Sequence, residues 1–127
     1  MPIFTDPIIL NDGTATPGGD HSFTFRAQLQ DKKSVVGEWV EPGSPTSSES
    51  RIVIKHDATS TLVRRRLLQR SISVLLPDNI TMKPITVNLT VTHHPLHNLA
   101  DVEKQVNVVK SAVLFPNFIR NLMQGLI

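Results

Sequence analysis

Residues 85–92, Ile-Thr-Val-Asn-Leu-Thr-Val-Thr, alternate apolar and polar side chains without a break. Successive side chains of a strand point to opposite faces, so Ile85, Val87, Leu89 and Val91 share one face and Thr86, Asn88, Thr90 and Thr92 the other. A strand of this kind suits an antiparallel sheet covered on one side only. Directly afterwards the period changes. Leu99, Val102, Val106, Val109 and Val113 recur at spacings of three and four within residues 96–114, which predicts a helix with one apolar stripe. Valine is a modest helix former, so burial must hold this helix. The expectation is a helix laid over the apolar face of the sheet, with the polar face left as the working surface.

Upstream, Ile8–Leu10 and His21–Phe25 read as two arms of a hairpin, joined through the turn signals Asp12-Gly13 and Pro17-Gly18-Gly19-Asp20. Strands follow at residues 35–41 and 51–57, separated by a loop at Pro42–Glu49 rich in Pro, Gly and Ser. A further strand spans about Leu62–Leu76. Its second half alternates cleanly, but Arg64-Arg65-Arg66 cannot all point to one face. Either Arg64, Arg66 and Arg70 sit at edges or an interface, or a bulge near Leu67-Leu68 shifts the register. Pro116 interrupts the long helix, and Phe118, Ile119, Leu122 and Met123 suggest a second short one, with Gly125 as a stop. Strands followed by helices give an α+β chain. A small open sheet leaves long edges that must be paired or covered, which points to a symmetric dimer.

The charge is unevenly placed. Residues 51–83 hold seven bases and two acids, whereas the rest of the chain holds six bases and nine acids. A basic patch on a nearly neutral protein points to a polyanionic partner. With no cysteine, disulfides, thiolate metal sites and cysteine nucleophiles are excluded. No run approaches the ~18 apolar residues of a membrane span, and the N-terminus lacks the pattern of a signal peptide. The expectation is a soluble protein without a membrane partner.

At three places the sequence resembles the coat proteins of single-stranded RNA bacteriophages, the leviviruses. These are Ala15-Thr-Pro-Gly-Gly-Asp-His-Ser-Phe23, Val36-Gly-Glu-Trp-Val-Glu41 and Glu49-Ser-Arg-Ile-Val-Ile-Lys55, in that order and followed by the strand-to-helix ending. The resemblance is weakest from Thr59 to Lys83. It implies a single coat protein domain over 1–127, with an N-terminal β-hairpin (1–30), a five-stranded antiparallel sheet (34–92) and two C-terminal helices on one face (96–127), built as an interlocked homodimer. It further implies assembly of dimers into an icosahedral shell around single-stranded viral RNA, a location in the virion after assembly in the bacterial cytoplasm, and, as in several members, translational repression through an operator hairpin.

Carried across position by position, the resemblance implies RNA contacts at Val36, Arg51, Val53, Lys55, Arg65, Leu67, Gln69, Asn88 and Thr90, the fifth-strand positions holding if the register is ungapped. Arginine and lysine there would neutralise phosphates, while Asn, Gln and Thr could hydrogen-bond bases, sugars or phosphates. The well-studied members carry a tyrosine, stacked on a base, where Asn88 stands; this chain has no tyrosine. Stacking of that type is worth ~1–3 kcal/mol per base, so an operator hairpin would be read differently here. A second departure is the short Pro77–Pro84 connection, which could leave larger pores around the symmetry axes of a shell.

Sharper chemistry finds little support. His93, His94, His97 and Asp101 hint at a metal site, but they span a strand end and a helix start, where capping is the plainer reading. No serine sits in a Gly-x-Ser-x-Gly elbow, and no Gly-rich phosphate loop precedes a helix. The expectation is therefore no enzyme, no cofactor, no metal and no small-molecule substrate. Trp39 reads as core or interface packing. The other reading of the basic strands is a non-viral dimeric β-sheet regulator that binds nucleic acid without forming shells.

Overall fold

The computed structural model describes residues 6–14, 19–30, 34–43, 49–58 and 62–126, and of residues 27–29 the backbone only. Parts of the expected loops at Pro17-Gly18, Pro42–Glu49 and Ala58–Thr61 lie outside these residues. The chain forms two compact units, Met1–Thr92 and His93–Ile127.

The first unit is a six-stranded antiparallel sheet in sequence order: β1 (Ile8–Asn11), β2 (Asp20–Gln30), β3 (Ser34–Val40), β4 (Arg51–Asp57), β5 (Arg64–Leu75) and β6 (Met82–His93). The expected hairpin and five-stranded sheet are both present, but they share β2. That strand runs about twice the length of the expected His21–Phe25 arm, and an irregularity interrupts its pairing. Phe25 pairs with Trp39 and Ala27 with Glu38, so Arg26 is an extra residue without a partner, a β-bulge. β6 also begins earlier than its clean alternation and includes Pro84. A proline donates no ladder hydrogen bond, and β6 is the outermost strand, where one is tolerated.

The core of this unit lies at the β2–β4 end. Phe23, Trp39, Ile52 and Ile54 are buried together, with Ile8, Leu10 and Phe25 packed against them. The Phe25 and Trp39 rings meet edge-on, with centroids 5.2 Å apart. Gly37 permits this arrangement, since a Cβ there would stand 3.1 Å from the Trp39 ring. Arg70 reaches the same core. Its guanidinium lies 5.1 Å from the centre of the Phe23 ring and donates to Ser50 Oγ (2.7 Å) and to the Arg51 and Ser71 carbonyls. A partly desolvated guanidinium that hydrogen-bonds through Nη1 and lies over an aromatic face is a form in which a cation is tolerated at the edge of a core.

The second unit holds α1 (Leu99–Val113) and α2 (Phe118–Met123). Asn98 caps α1 by accepting from the Ala100 amide, Asp101 lies in the first turn and Lys110 in the last, each favourable to the helix dipole. Asn117 starts α2 from a left-handed conformation, and Gly125, with φ 73°, ends it as its composition predicts. Neither helix buries a residue. Among the described residues no helix is long and apolar enough to cross a membrane.

Candidate nucleic-acid interface

The pairing of β3, β4 and β5 runs without a register shift. Val36, Glu38 and Val40 face Lys55, Val53 and Arg51 across one ladder, and Lys55, Val53 and Arg51 face Leu67, Gln69 and Ser71 across the next. Directly paired residues lie on the same side of a sheet. Val36, Arg51, Val53, Lys55, Arg65, Leu67 and Gln69 therefore share one face, opposite the face that carries Trp39, Ile52 and Ile54. The two readings of the arginine triplet are resolved by the same register. There is no bulge near Leu67-Leu68; Arg65 stands on the polar face, and Arg66 and Arg70 pair with His56 and Ile52 on the other.

β6 is oriented by a pocket of about 250 Å³ lined by Ile54, His56, Arg66, Leu68, Leu89 and Val91, together with Leu67, whose pairing with Lys55 puts its side chain on the other face. Leu89 and Val91 thus point to the core side, and by alternation Asn88 and Thr90 point to the polar side, where both are exposed. All nine residues singled out from the sequence fall on one face of the sheet.

The sequence reading missed two residues of this face, Arg26 and Glu38. Arg26, the extra residue of the bulge, lies beside Glu38, whose Oε2 accepts from Arg26 Nη2 at 2.9 Å. Arg26 Nη1 reaches Glu49 at 2.6 Å, and Arg51 Nη1 reaches the other Glu38 oxygen at 3.2 Å. Glu49, Arg26, Glu38 and Arg51 form one alternating chain of charge. The hydrogen bonds to Glu49 first and Glu38 second hold the Arg26 guanidinium well above its ordinary pKa. At the other end of the face, Lys55 and Arg65 make no ion pair among the described residues. They are diagonal neighbours on the β4–β5 ladder, beside Asp57, which is the cross-strand partner of Arg65. A glutamate in mid-strand, in Val-Val-Gly-Glu-Trp-Val, was the available signal for Glu38, and the polar place of Arg26 in the alternation Phe-Thr-Phe-Arg-Ala-Gln-Leu-Gln of residues 23–30 was the signal for Arg26.

The core-side face is unfinished beyond β4. Leu68, Ile85, Val87 and Leu89 are between 36% and 61% exposed, although their alternation demands burial. Leu99, Val109 and Val113 of the α1 stripe are also exposed, as are Phe115, Ile119, Leu122 and Met123. His56 lies in the pocket with a buried Nδ1 that finds no hydrogen-bond partner among the described residues. Burial, with the nearby Arg66 charge second, lowers its pKa, so this ring is held neutral.

The histidine cluster takes a structural role. His97 Nδ1 accepts from the His94 amide at 2.9 Å and His94 Nδ1 accepts from the Leu96 amide at 3.1 Å. An accepting Nδ1 puts the proton on Nε2, which leaves neither ring a lone pair for a metal. Among the described residues no group of three or more potential ligands is placed to hold a metal ion.

A six-stranded curled antiparallel sheet with two C-terminal helices defines the coat-protein fold of the levi-like RNA phages. The virus-like particle of Beihai levi-like virus 21 is similar at a TM-score of 0.69 and 15% identity, over 94% of this chain and 94% of that one. The virus-like particle of bacteriophage NT-214 aligns at a TM-score of 0.72 and 13% identity, over 94% of this chain and 95% of the other. The bacteriophage EMS014 coat protein aligns at 0.63 and 15% identity, over 87% of this chain and 74% of that protein. No protein-family model and no curated protein sequence matches the chain. At these identities the likeness establishes the fold; the function has to be argued from the two faces.

Proposed function

We propose that this chain is a capsid protein that pairs with a second copy through its uncovered apolar surface, assembles into a closed shell, and packages single-stranded RNA against its polar sheet face. The observation that carries this reading is the asymmetry of burial. One chain completes a core around Trp39 and leaves β6 and both helices with their apolar residues exposed. Monomeric soluble proteins rarely leave contiguous apolar patches larger than a few hundred Å². An edge strand as long as β6 is also a template for pairing with another sheet. A homodimer that joins β6 edges and covers the apolar faces answers both requirements. The opposite face, where Lys55 and Arg65 make no ion pair among the described residues and Gln69, Asn88 and Thr90 share their side of the sheet, offers phosphate and hydrogen-bond contacts. The likeness to coat proteins of virus-like particles supports the same reading.

Expression of the chain alone tests it. The expected result is uniform particles enclosing nuclease-protected RNA. A monodisperse monomer would refute the proposal. A stable dimer that binds nucleic acid but never forms shells would favour a small regulator instead, and sedimentation separates the three outcomes.

A further inference from the structure

We propose that Glu38 sets the specificity of the polar face by holding Arg26 and Arg51 out of phosphate contact, so that a polyanion engages the Lys55–Arg65 end only. This rests on the reading of that face as an RNA-binding surface and adds to it a direction and a selective element.

At the bulge Arg26 and Ala27 of β2 both stand against Glu38, and Arg26 sets a second guanidinium beside that of Arg51 on the same carboxylate, while Glu49 closes the far side of Arg26. Both Glu38 oxygens are occupied, one by each arginine. Arg26 spends its Nε, Nη1 and Nη2 on the two glutamates. The four charges cancel, so a phosphate approaching this end meets two cations already engaged and a carboxylate that repels it. At the other end, among the described residues, Lys55 and Arg65 lie beside the single acid Asp57, which leaves one excess positive charge. Affinity for any RNA backbone is thereby kept low, and neutral groups at the compensated end (Gln69 and Ser71 lie across from Val53 and Arg51) are left to meet bases and sugars. A repulsive group placed against the wrong ligand is a general means to specificity.

The salt dependence of binding reads this directly. A protein that neutralises single-strand phosphates loses affinity with a log–log slope of about 0.7 per contact. The probe is an unstructured oligouridylate of fixed length, bound to the full-length protein. Wild-type protein should show a shallow slope that falls in Lys55→Ala and Arg65→Ala and changes little in Arg26→Ala. Glu38→Gln, nearly isosteric, should tighten binding at low salt by about tenfold and steepen the slope by about one to two contacts. Adding Arg26→Gln to Glu38→Gln should remove about one of those contacts, a reversal that a purely structural role for Glu38 would not give. Glu49→Gln is the milder variant should Glu38→Gln fold poorly, and should steepen the slope by about half as much. Binding with an unchanged slope in folded Glu38→Gln or Glu49→Gln protein would overturn the role of Glu38 and leave RNA binding standing. Absence of oligouridylate binding by the wild-type protein at low salt would remove the RNA reading, and this inference with it.

Discussion

The two ends of the sheet behave as different kinds of structure. At the β2–β4 end the chain satisfies itself: Phe23, Trp39, Ile52 and Ile54 close a core, and even the intruding Arg70 donates to Ser50 and to two backbone carbonyls. At the β6 end the alternation is the most regular in the sequence, yet the residues it marks for burial stand open. Hydrophobic patterning therefore specifies which side chains need cover without specifying that the same chain supplies it. Where a strongly patterned strand is exposed, the missing layer is evidence about a partner.

The largest effect that would test this contrast is in the closed core. Trp39→Ala should cost about 3–5 kcal/mol of sheet stability and prevent recovery of folded protein, whereas Val87→Ala should leave a dilute chain's unfolding midpoint within about 0.5 kcal/mol and weaken only the associated state. Equal losses for both in denaturant titrations would erase the distinction. Next comes the helix. Val109→Asp should place a charge where an apolar partner surface is expected, costing several kcal/mol in the paired state and yielding soluble monomer in sedimentation. Val106→Asp should do the same with a further penalty to folding, because Val106 is already half-buried within one chain. An assembled Val109→Asp protein would show that the stripe is not a contact.

A smaller effect concerns how the hairpin is fastened at the closed end. His21 Nε2–H donates to Asp12 at 3.0 Å and Nδ1–H to Glu41 at 2.7 Å, an arrangement that requires both nitrogens protonated. The bonds to Asp12 first and Glu41 second raise the His21 pKa above 6.5, and Asp12, bonded to Thr14 and His21, is lowered to about 2. With a folded pKa above the unfolded one, the imidazolium contributes stability fully below about pH 6.5 and loses it as pH rises through the raised value. Amide exchange in β1 should therefore accelerate with pH beyond its intrinsic dependence, and His21→Gln should remove the excess. No excess in the wild-type protein would show that the fastening is not ionic. The β5–β6 turn is held instead by Asp78, which accepts from the Thr81 and Ile80 amides; these bonds lower its pKa, so it stays ionised through this range and the β6 amides serve as the internal control. The smallest effect is on the polar face, where Arg51→Ala should change the salt slope of RNA binding by less than half as much as Lys55→Ala.

Much of this architecture was legible from residue order. The alternation of residues 85–92 and 51–57 gave two strands and their faces, and the three-and-four spacing from Leu99 gave α1. The stop at Gly125 followed from the same kind of reading. The faces of Arg64–Arg66 were not legible, because three like residues carry no period; only the β4–β5 register separates Arg65 from its neighbours. The length of β2 was legible in the alternation Phe-Thr-Phe-Arg-Ala-Gln-Leu-Gln of residues 23–30, which continues past Phe25. The bulge at Arg26 was not, because that pattern runs through it unbroken and only the pairing with β3 exposes the extra residue. The Glu49–Arg26–Glu38–Arg51 chain joins residues from separate strands, so it too needed the pairing. The His94 and His97 pattern suggested ligands by type, while their roles were decided by which backbone amides stand within reach of Nδ1.

The unmatched residue at Arg26 acts on the chain as a phase change acts on a wave. Before it, odd-numbered positions of β2 pair with odd positions of β3; after it, odd pairs with even. A deletion of one residue there would leave composition and hydropathy almost untouched. It would also leave Phe25 opposite Trp39 and Ala27 opposite Glu38, so the ladder would close up with every paired residue on its present face; what the extra residue supplies is a local bend and added twist in β2, and a place for one more side chain beside Glu38.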